Sequence, residues 1–384
     1  MSATLITSTD ELASLCQRLA WADYVTVDTE FMRESTFWPK LCLAQVAGPD
    51  DAVAIDALAP GMDLSPLFAL LADPDVVKVF HAARQDIEIF HHLDGRIPAP
   101  LFDSQVAAMV CGFGDSVSYE ALASKLAKAR IDKSLRFTDW SHRPLTERQL
   151  EYAIDDVRHL RVIYERLASQ LERTGRTAWL SEEMAVLNDP SIYEQRPDNA
   201  WRRLKSRSTD GRFLTLLREV AGWREREAQT RDLPRNRVVR DESLLDIAAR
   251  KPATVNDLAR TRGVSRKMAE GVMGDGILAA VRKGKATLEA DWPKVKKHNP
   301  PARGIGPVVE LLKVLLKMKC DEYDVAQRLV ANTADLEQIA SGNGADVNAL
   351  HGWRRELFGE DALALKAGKL ALSLQGNRIH IERH

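Results

Sequence analysis

The pattern of the chain changes part-way along it, and that change limits what it can fold into. Up to about Leu160, short runs of β-branched and aromatic residues alternate with helical periodicity, whereas beyond Asn199 the strand pattern nearly vanishes. A segment without strands cannot extend the sheet of the first, so the chain reads as an α/β layer followed by separate helical modules. Its 384 residues agree, because domains of roughly 100–200 residues make two or three of them. Within the first part, Tyr24–Phe31, Leu41–Ala47 and Ala52–Ala57 read as strands, the last two joined through Gly48-Pro49-Asp50-Asp51. Val76–Phe80 is a further strand, followed by helices over Arg84–Leu93 and Ser104–Met109. A long helix starts at Thr146, a cap with Gln149 three residues on, and runs beyond Leu171.

Hydrophobic residues at 45% and charged residues at 28% exclude a disordered, collagenous or coiled-coil chain. The longest apolar runs, Val76–Phe80 and Leu311–Leu316, fall far short of the about 18 residues a bilayer span needs, and Lys78 and Lys313 interrupt them. The first twelve residues lack the basic and apolar regions of a secretory signal, so the expected location is the cytosol, with no membrane partner. Four scattered cysteines, without a CxxC pair, predict reduced thiols and exclude a cysteine zinc site. Any bound metal must then use oxygen ligands.

The net charge of −1 favours no class of partner, but charge is unevenly placed. Twelve Arg or Lys residues stand against five acids between Trp201 and Arg240, which is either a solvated helical face or a surface for a polyanion. Two helical stretches, Asp210–Leu288 and Gly306–Leu374, flank a Pro- and Lys-rich linker and look like copies of one module. Each opens with a long helix, carries an acidic pair (Asp241-Glu242; Asp321-Glu322) and ends in an apolar turn before a basic glycine.

In Tyr-Val-Thr-Val-Asp-Thr-Glu-Phe the two-residue period of a strand puts Asp28 and Glu30 on one face, with Val25, Val27 and Phe31 on the other. Adjacent carboxylates repel, and either open solvent or a divalent cation must offset that. Asp86 sits at the start of a helix, where an acid is also a favourable partner of the helix dipole. Tyr152 and Asp156, four apart in the long helix, share a face, and Asp155 is turned away from them.

Asp28-x-Glu30, then Asp86, then Tyr152-x-x-x-Asp156 resemble the three exonuclease motifs of the DEDDy class of 3′-to-5′ exonucleases, and within that class the chain is similar to the ribonuclease D family. The strings Val27-Asp28-Thr29-Glu30-Phe31-Met32-Arg33-Glu34, Phe102-Asp103-Ser104-Gln105, Lys133-Ser134, Thr138-Asp139-Trp140 and Arg143-Pro144-Leu145-Thr146 carry the same likeness. The two C-terminal modules resemble tandem HRDC domains. The resemblance implies a ribonuclease H-like mixed sheet flanked by helices over residues 1–175, a linker over 176–208, a first all-α HRDC domain over 209–290, a linker over 291–303 and a second HRDC domain over 304–376.

It also implies two-metal hydrolysis of phosphodiesters with Mg²⁺ or Mn²⁺, the hard cations that oxygen ligands select. Asp28 would bridge both ions, Glu30 and Asp156 would complete the one that activates water, and Asp86 would hold the other. Tyr152 would orient the attacking water, since a phenol of ordinary pKa near 10 is a poor base at neutral pH. Phe31, Met32, His81, Gln85, Lys133 and Arg143 are further candidates for touching substrate, each with an ordinary structural alternative. The expected protein is a monomer that trims the 3′ ends of structured RNA such as tRNA precursors and releases nucleoside 5′-monophosphates. A DNA-directed exonuclease and a catalytically silent RNA-binding adaptor are the alternatives.

Overall fold

The computed structural model of the chain describes residues 4–294, 304–342 and 346–384. They form two compact units. One takes in residues 4–30, 43–189 and 304–384, the other residues 31–42 and 190–294. The linker expected over 291–303 lies mostly outside the described residues.

The first unit begins with β1 (Thr4–Ile6), α1 (Thr9–Leu19), β2 (Tyr24–Met32), β3 (Lys40–Ala47) and β4 (Ala52–Asp56), β2 and β3 carrying their loop-side ends into the second unit. It continues with α2 (Ser65–Leu71), β5 (Val77–Phe80), α3 (Arg84–Asp94), β6 (Leu101–Asp103), α4 (Ser104–Val110), α5 (Tyr119–Leu122), α6 (Glu147–Thr174) and α7 (Thr177–Leu187). The six strands make one mixed sheet in the order β1-β4-β3-β2-β5-β6. Parallel pairing sets Tyr24 opposite Val77 and Phe80 opposite Asp103, so β2, β5 and β6 end on one side of the sheet. β1 and β6, three residues each, are too short to show a two-residue period in the sequence.

α6 opens on the expected capping box, Thr146 with Gln149, and lies on the sheet where the Thr26 hydroxyl donates to the Val157 carbonyl at 2.8 Å. The Lys78 that interrupts an apolar run is fully buried, and its ammonium donates to the carbonyls of Asp73 and Ala99. Burial lowers its pKa to about 8. All four cysteines are free and buried, as expected. No helix of the described residues is long and apolar enough to cross a membrane.

The second unit is built on α8 (Gly211–Thr230), α9 (Arg235–Val238), α10 (Asp241–Arg250), α11 (Val255–Ala259), α12 (Arg266–Ala269) and α13 (Val272–Ala286). Its apolar core, formed by Leu216, Leu217, Val220, Leu244, Ile247, Ile277 and Val281 among others, also takes in Phe37. That residue comes from the strap between β2 and β3. Asp232 accepts the backbone N–H groups of Phe37 and Trp38 at 3.0 Å each, and the Arg235 guanidinium lies 4.4 Å from the Phe37 ring centroid. A division into consecutive segments along the chain does not anticipate this strap.

The remaining helices, α14 (Gly306–Tyr323), α15 (Gln327–Val330), α16 (Thr333–Ser341), α17 (Gly352–Arg354) and α18 (Glu360–Lys366), repeat the long, short, middle order of α8, α9 and α10. The match differs in register from the acidic-pair alignment read in the sequence. Asp321 and Glu322 close α14, so the counterpart of α10 is α16, with Asp335 in its first turn. The last residues form an antiparallel hairpin, β7 (Leu370–Gln375) with β8 (Arg378–Arg383), so the stretch read as helical to Leu374 turns to strand from Leu370. In β8, Ile379 and Ile381 alternate with Arg378, His380 and Glu382, which is strand periodicity.

This second bundle is part of the first unit. Trp179 of α7 stacks on Trp353 with centroids 4.4 Å apart and planes 10° from parallel, and Arg354 pairs with Glu183. The Ala326 N–H donates to the Met109 carbonyl at 3.0 Å, and Arg176 donates to the carbonyls of Tyr323 and Asp324. Gly112, at φ +81°, meets the bundle so closely that a Cβ would stand 2.6 Å from the Asp324 carbonyl oxygen.

Phe37→Ala removes a buried aromatic ring and should cost the second unit about 3 kcal/mol. Amide exchange across residues 211–230 should rise accordingly. Unchanged protection there would show that the strap is not part of that core.

Candidate active site

The site is assembled where β2 ends. Alternation along β2 turns Asp28 and Glu30 toward α6, and one ligand oxygen from each lies within 4.8 Å of one from Asp156. Asp86, in the first turn of α3, is 7% exposed and accepts a hydrogen bond from the Thr29 hydroxyl. Strand, following helix and covering helix thus deliver the four carboxylates expected from sequence to one place.

Their electrostatics show what the arrangement lacks. Burial pushes Asp28 up to about 6. Burial, and then the charges of Asp28, Asp156 and Asp86, push Glu30 up to about 10, and burial with Asp28 pushes Asp156 up to about 8. Asp86 is also raised well above the usual carboxylate range, by burial first and Asp28 second. The cation acting on this group is Arg136, whose charge is the smallest influence named on Glu30. Four acids without an adequate counter-charge, presenting only oxygen, fit a divalent metal ion. The sequence left solvent or a cation open, and the partial burial of this set favours the cation.

Tyr152 donates to Asp156, and Trp140, 2% exposed, stacks on the Tyr152 ring at 6.0 Å. Burial first, then Asp156, Glu30 and Asp28, raise the Tyr152 pKa far above neutrality, so it stays a hydroxyl and not a base. Asp155 ion-pairs with Arg158 at 3.2 Å and is half-exposed, turned from the site as its helical position predicts. Tyr119 also serves the site: its hydroxyl donates to the Asp156 carbonyl.

The substrate-contact candidates separate. His81 is held by Ser104, its Nδ1 2.9 Å from the Ser104 Oγ, and burial lowers its pKa, so the ring is neutral. Gln85 is exposed on the first turn of α3. Phe31 and Met32 follow the acid pair on the strand and are partly buried, with Arg33 5.7 Å from the Phe31 centroid. Arg143 is committed elsewhere: it forks onto Asp56 at 2.6 and 2.8 Å and donates to the carbonyls of Trp140 and His142. That clasp is structural, and a substrate role is not retained for it. The Lys133 side chain lies outside the described residues.

Arg136 was missed. It is exposed, acts electrostatically on both Glu30 and Tyr152, and lies 5.4 Å from the centroid of Phe137, a ring 91% exposed. An arginine beside an exposed aromatic in the segment before Trp140 was the available signal.

A carboxyl whose folded pKa exceeds its unfolded one keeps its proton longer in the folded state. The metal-free fold is therefore favoured fully below about pH 4, where unfolded Asp and Glu titrate, and loses that advantage as pH rises toward the folded values of about 6, 8 and 10. In chelator, the melting temperature of the wild type should fall between pH 5.5 and 9 more steeply than that of Asp28→Asn. Excess Mg²⁺ should remove most of the wild-type fall. Superimposable curves for the two proteins would contradict the repulsion.

The comparisons with known proteins agree with this geometry. Residues 3–172 match the family described as 3′-5′ exonuclease, and residues 213–281 match the HRDC domain. Ribonuclease D of Granulibacter bethesdensis is 51% identical over 381 residues, covering 99% of this chain and 96% of that protein. Ribonuclease D of Nitrobacter hamburgensis is 52% identical over 380 residues, covering 99% of each. The crystal structure of Escherichia coli RNase D superposes with a TM-score of 0.81 at 31% identity, covering 96% of this chain and 99% of that one. With identities near one half over almost the whole length, and with the acids of the site in place, the chain belongs to the ribonuclease D family of divalent-metal-dependent 3′-to-5′ exoribonucleases.

Proposed function

We propose that this exoribonuclease shortens structured RNA, such as tRNA precursors, from the 3′ end and releases nucleoside 5′-monophosphates, using two divalent ions held by Asp28, Glu30, Asp86 and Asp156. The observation that carries this is the gathering of Asp28, Glu30 and Asp156 within 4.8 Å with all three pKa values raised. Bound Mg²⁺ or Mn²⁺ supplies an activated water and neutralises charge on the phosphoryl group. The residues of the chain do the rest. Asp28 would bridge both ions, Glu30 and Asp156 would complete the site of the one that activates water, and Asp86, which accepts from the Thr29 hydroxyl, would hold the other. The protonated Tyr152 hydroxyl orients the attacking water, and Arg136 offers its guanidinium to the phosphodiester while Phe137 presents a face to a base. His81, Gln85, Phe31, Met32 and Lys133 are kept as RNA contacts. A monomer acting in the cytosol completes the proposal.

We also propose HRDC copies over 209–290 and 304–376, supported by the shared helix order. RNA affinity is assigned mainly to the first. Of its twelve cations between Trp201 and Arg240, Arg203, Arg218, Arg224, Arg231 and Arg235 are tied to acids of the same unit. Arg202, Lys205, Arg207, Arg212, Arg226, Arg237 and Arg240 are exposed, so the basic stretch is half scaffold and half available surface.

Asp28→Asn should reduce hydrolysis of an end-labelled tRNA with a 3′ trailer below a few per cent, and Asp155→Asn should be nearly silent. Tyr152→Phe should lower kcat by about two to three orders of magnitude, roughly 3 to 4 kcal/mol at 1.36 kcal/mol per tenfold. Unchanged kcat with weaker substrate affinity would make Tyr152 an RNA contact instead. Matched RNA and DNA oligonucleotides should be cleaved at different rates; equal rates would favour a general exonuclease.

Because residues 31–42 belong to the second unit, truncation near Asn199 would strip Phe37 of its core. Full-length variants make the sounder test. Each contacting cation replaced by Gln, among Arg207, Arg212, Arg226 and Arg237, should flatten the slope of log K against log salt for tRNA by about 0.7. Slopes equal to wild type would make these residues a solvated face.

A further inference from the structure

The turn that delivers Asp86 is held in an unfavourable conformation by a residue outside the site. α3 begins after Ala83, which has no side chain to cap it, and Ala82 before it sits at φ 58°, in the left-handed region that residues with a Cβ seldom occupy. One carboxylate stabilises both positions. The Ala82 N–H donates to Oδ1 of Asp103 at 3.0 Å and the Ala83 N–H to Oδ2 at 2.8 Å. The same Oδ1 accepts from Gln105 at 2.8 Å and Val106 at 3.4 Å, capping α4. Asp103 is 2% exposed, and in the parallel register it stands opposite Phe80, the last residue of β5. Four backbone donors converging on a buried carboxylate define the relative placement of two helix starts.

Asp86 follows this turn by three residues, so a change in the turn is passed on by a rigid first turn of helix. Both carboxylate oxygens of Asp103 are taken up by backbone N–H groups. Its charge opposes ionisation of Asp86, which a group placed for charge balance would not do. Geometry is the role left for it.

We propose that Asp103 is a positioning residue for the metal site, fixing Asp86 through the left-handed turn at Ala82. This rests on Asp86 being a metal ligand, as proposed above. Removing a group that orients a metal ligand lowers metal affinity or activity about tenfold to a hundredfold.

The test uses full-length protein and Mn²⁺ alone, with binding followed by electron paramagnetic resonance of free Mn²⁺ and folding by circular dichroism. Asp103→Ser keeps a side-chain cap for α4 but is too short to bridge to Ala82 and Ala83. It should fold and weaken Mn²⁺ binding about tenfold or more. Adding Ala82→Gly, which removes the penalty at φ 58°, should restore affinity to within about threefold. Asp86→Asn is the reference: if it leaves Mn²⁺ binding unchanged, the ligand assignment fails, whatever Asp103 does. If Asp86→Asn weakens binding and folded Asp103→Ser does not, the positioning role is wrong. Ala82→Gly alone keeps the proposal testable should Asp103→Ser not fold. With Asp103 still in place, its affinity should stay within about threefold of wild type, and a tenfold loss would overturn the proposal by shifting the restraint to the Ala82 backbone.

Discussion

Mutual repulsion among Asp28, Glu30, Asp86 and Asp156 is the interaction around which the catalytic layer is arranged. Burial raises the pKa of every one, and Asp28 raises the other three. A fold that holds such a set without metal must supply stability from its surroundings. It does so with a central β2 whose Val25 and Val27 are buried, with the Thr26 bond to α6, and with Trp140 against Tyr152. Rigid walls keep the acids close when relaxation would separate them, and an all-oxygen set held this close fits a divalent cation. Tyr152 follows from the same field: burial and the neighbouring carboxylates hold its proton on the phenol at neutral pH.

The second unit shows how far local sequence and compact structure can part. Phe37 lies seven residues after Glu30, yet it is buried with Leu217, Val220 and Ile247, and Asp232 and Arg235 hold it there. No periodicity announces this, because the strap has neither helical nor strand repeats and its partners lie about two hundred residues away. The same limit applies to the basic stretch. Charge counts alone cannot tell Arg224, buried and paired with Asp241 at 2.6 Å, from Arg226, exposed two residues later. Position on a packed helix decides between them.

What was legible depended on short-range rules. Two-residue alternation in β2 put Asp28 and Glu30 on one face, and four-residue spacing in α6 put Tyr152 with Asp156 and turned Asp155 away. The Thr146 capping box fixed where α6 starts, and through it the depth of Asp156. Arg143 was misjudged for the opposite reason: its partner Asp56 is 87 residues away, and nothing near it in sequence reveals the fork that occupies it. Arg136 was overlooked because its neighbours Glu30 and Tyr152 come from other elements.

The two helical bundles repeat one order of helices but are put to different uses. The first keeps seven cations exposed and engages the chain around it through the strap at Phe37. The second is sealed to α4 and α7 by the Trp179–Trp353 stack, the Arg354–Glu183 pair and the close approach at Gly112, where any side chain would collide with Asp324. A stacked indole pair and a partly buried ion pair are stabilising only while both partners stay in place. Part of the surface of this bundle is thereby covered by helices of the catalytic layer. The second bundle thus packs on α7, the helix that follows the carboxylate-bearing α6, while the first keeps its exposed cations. The second carries the helix order of the first without its run of arginines.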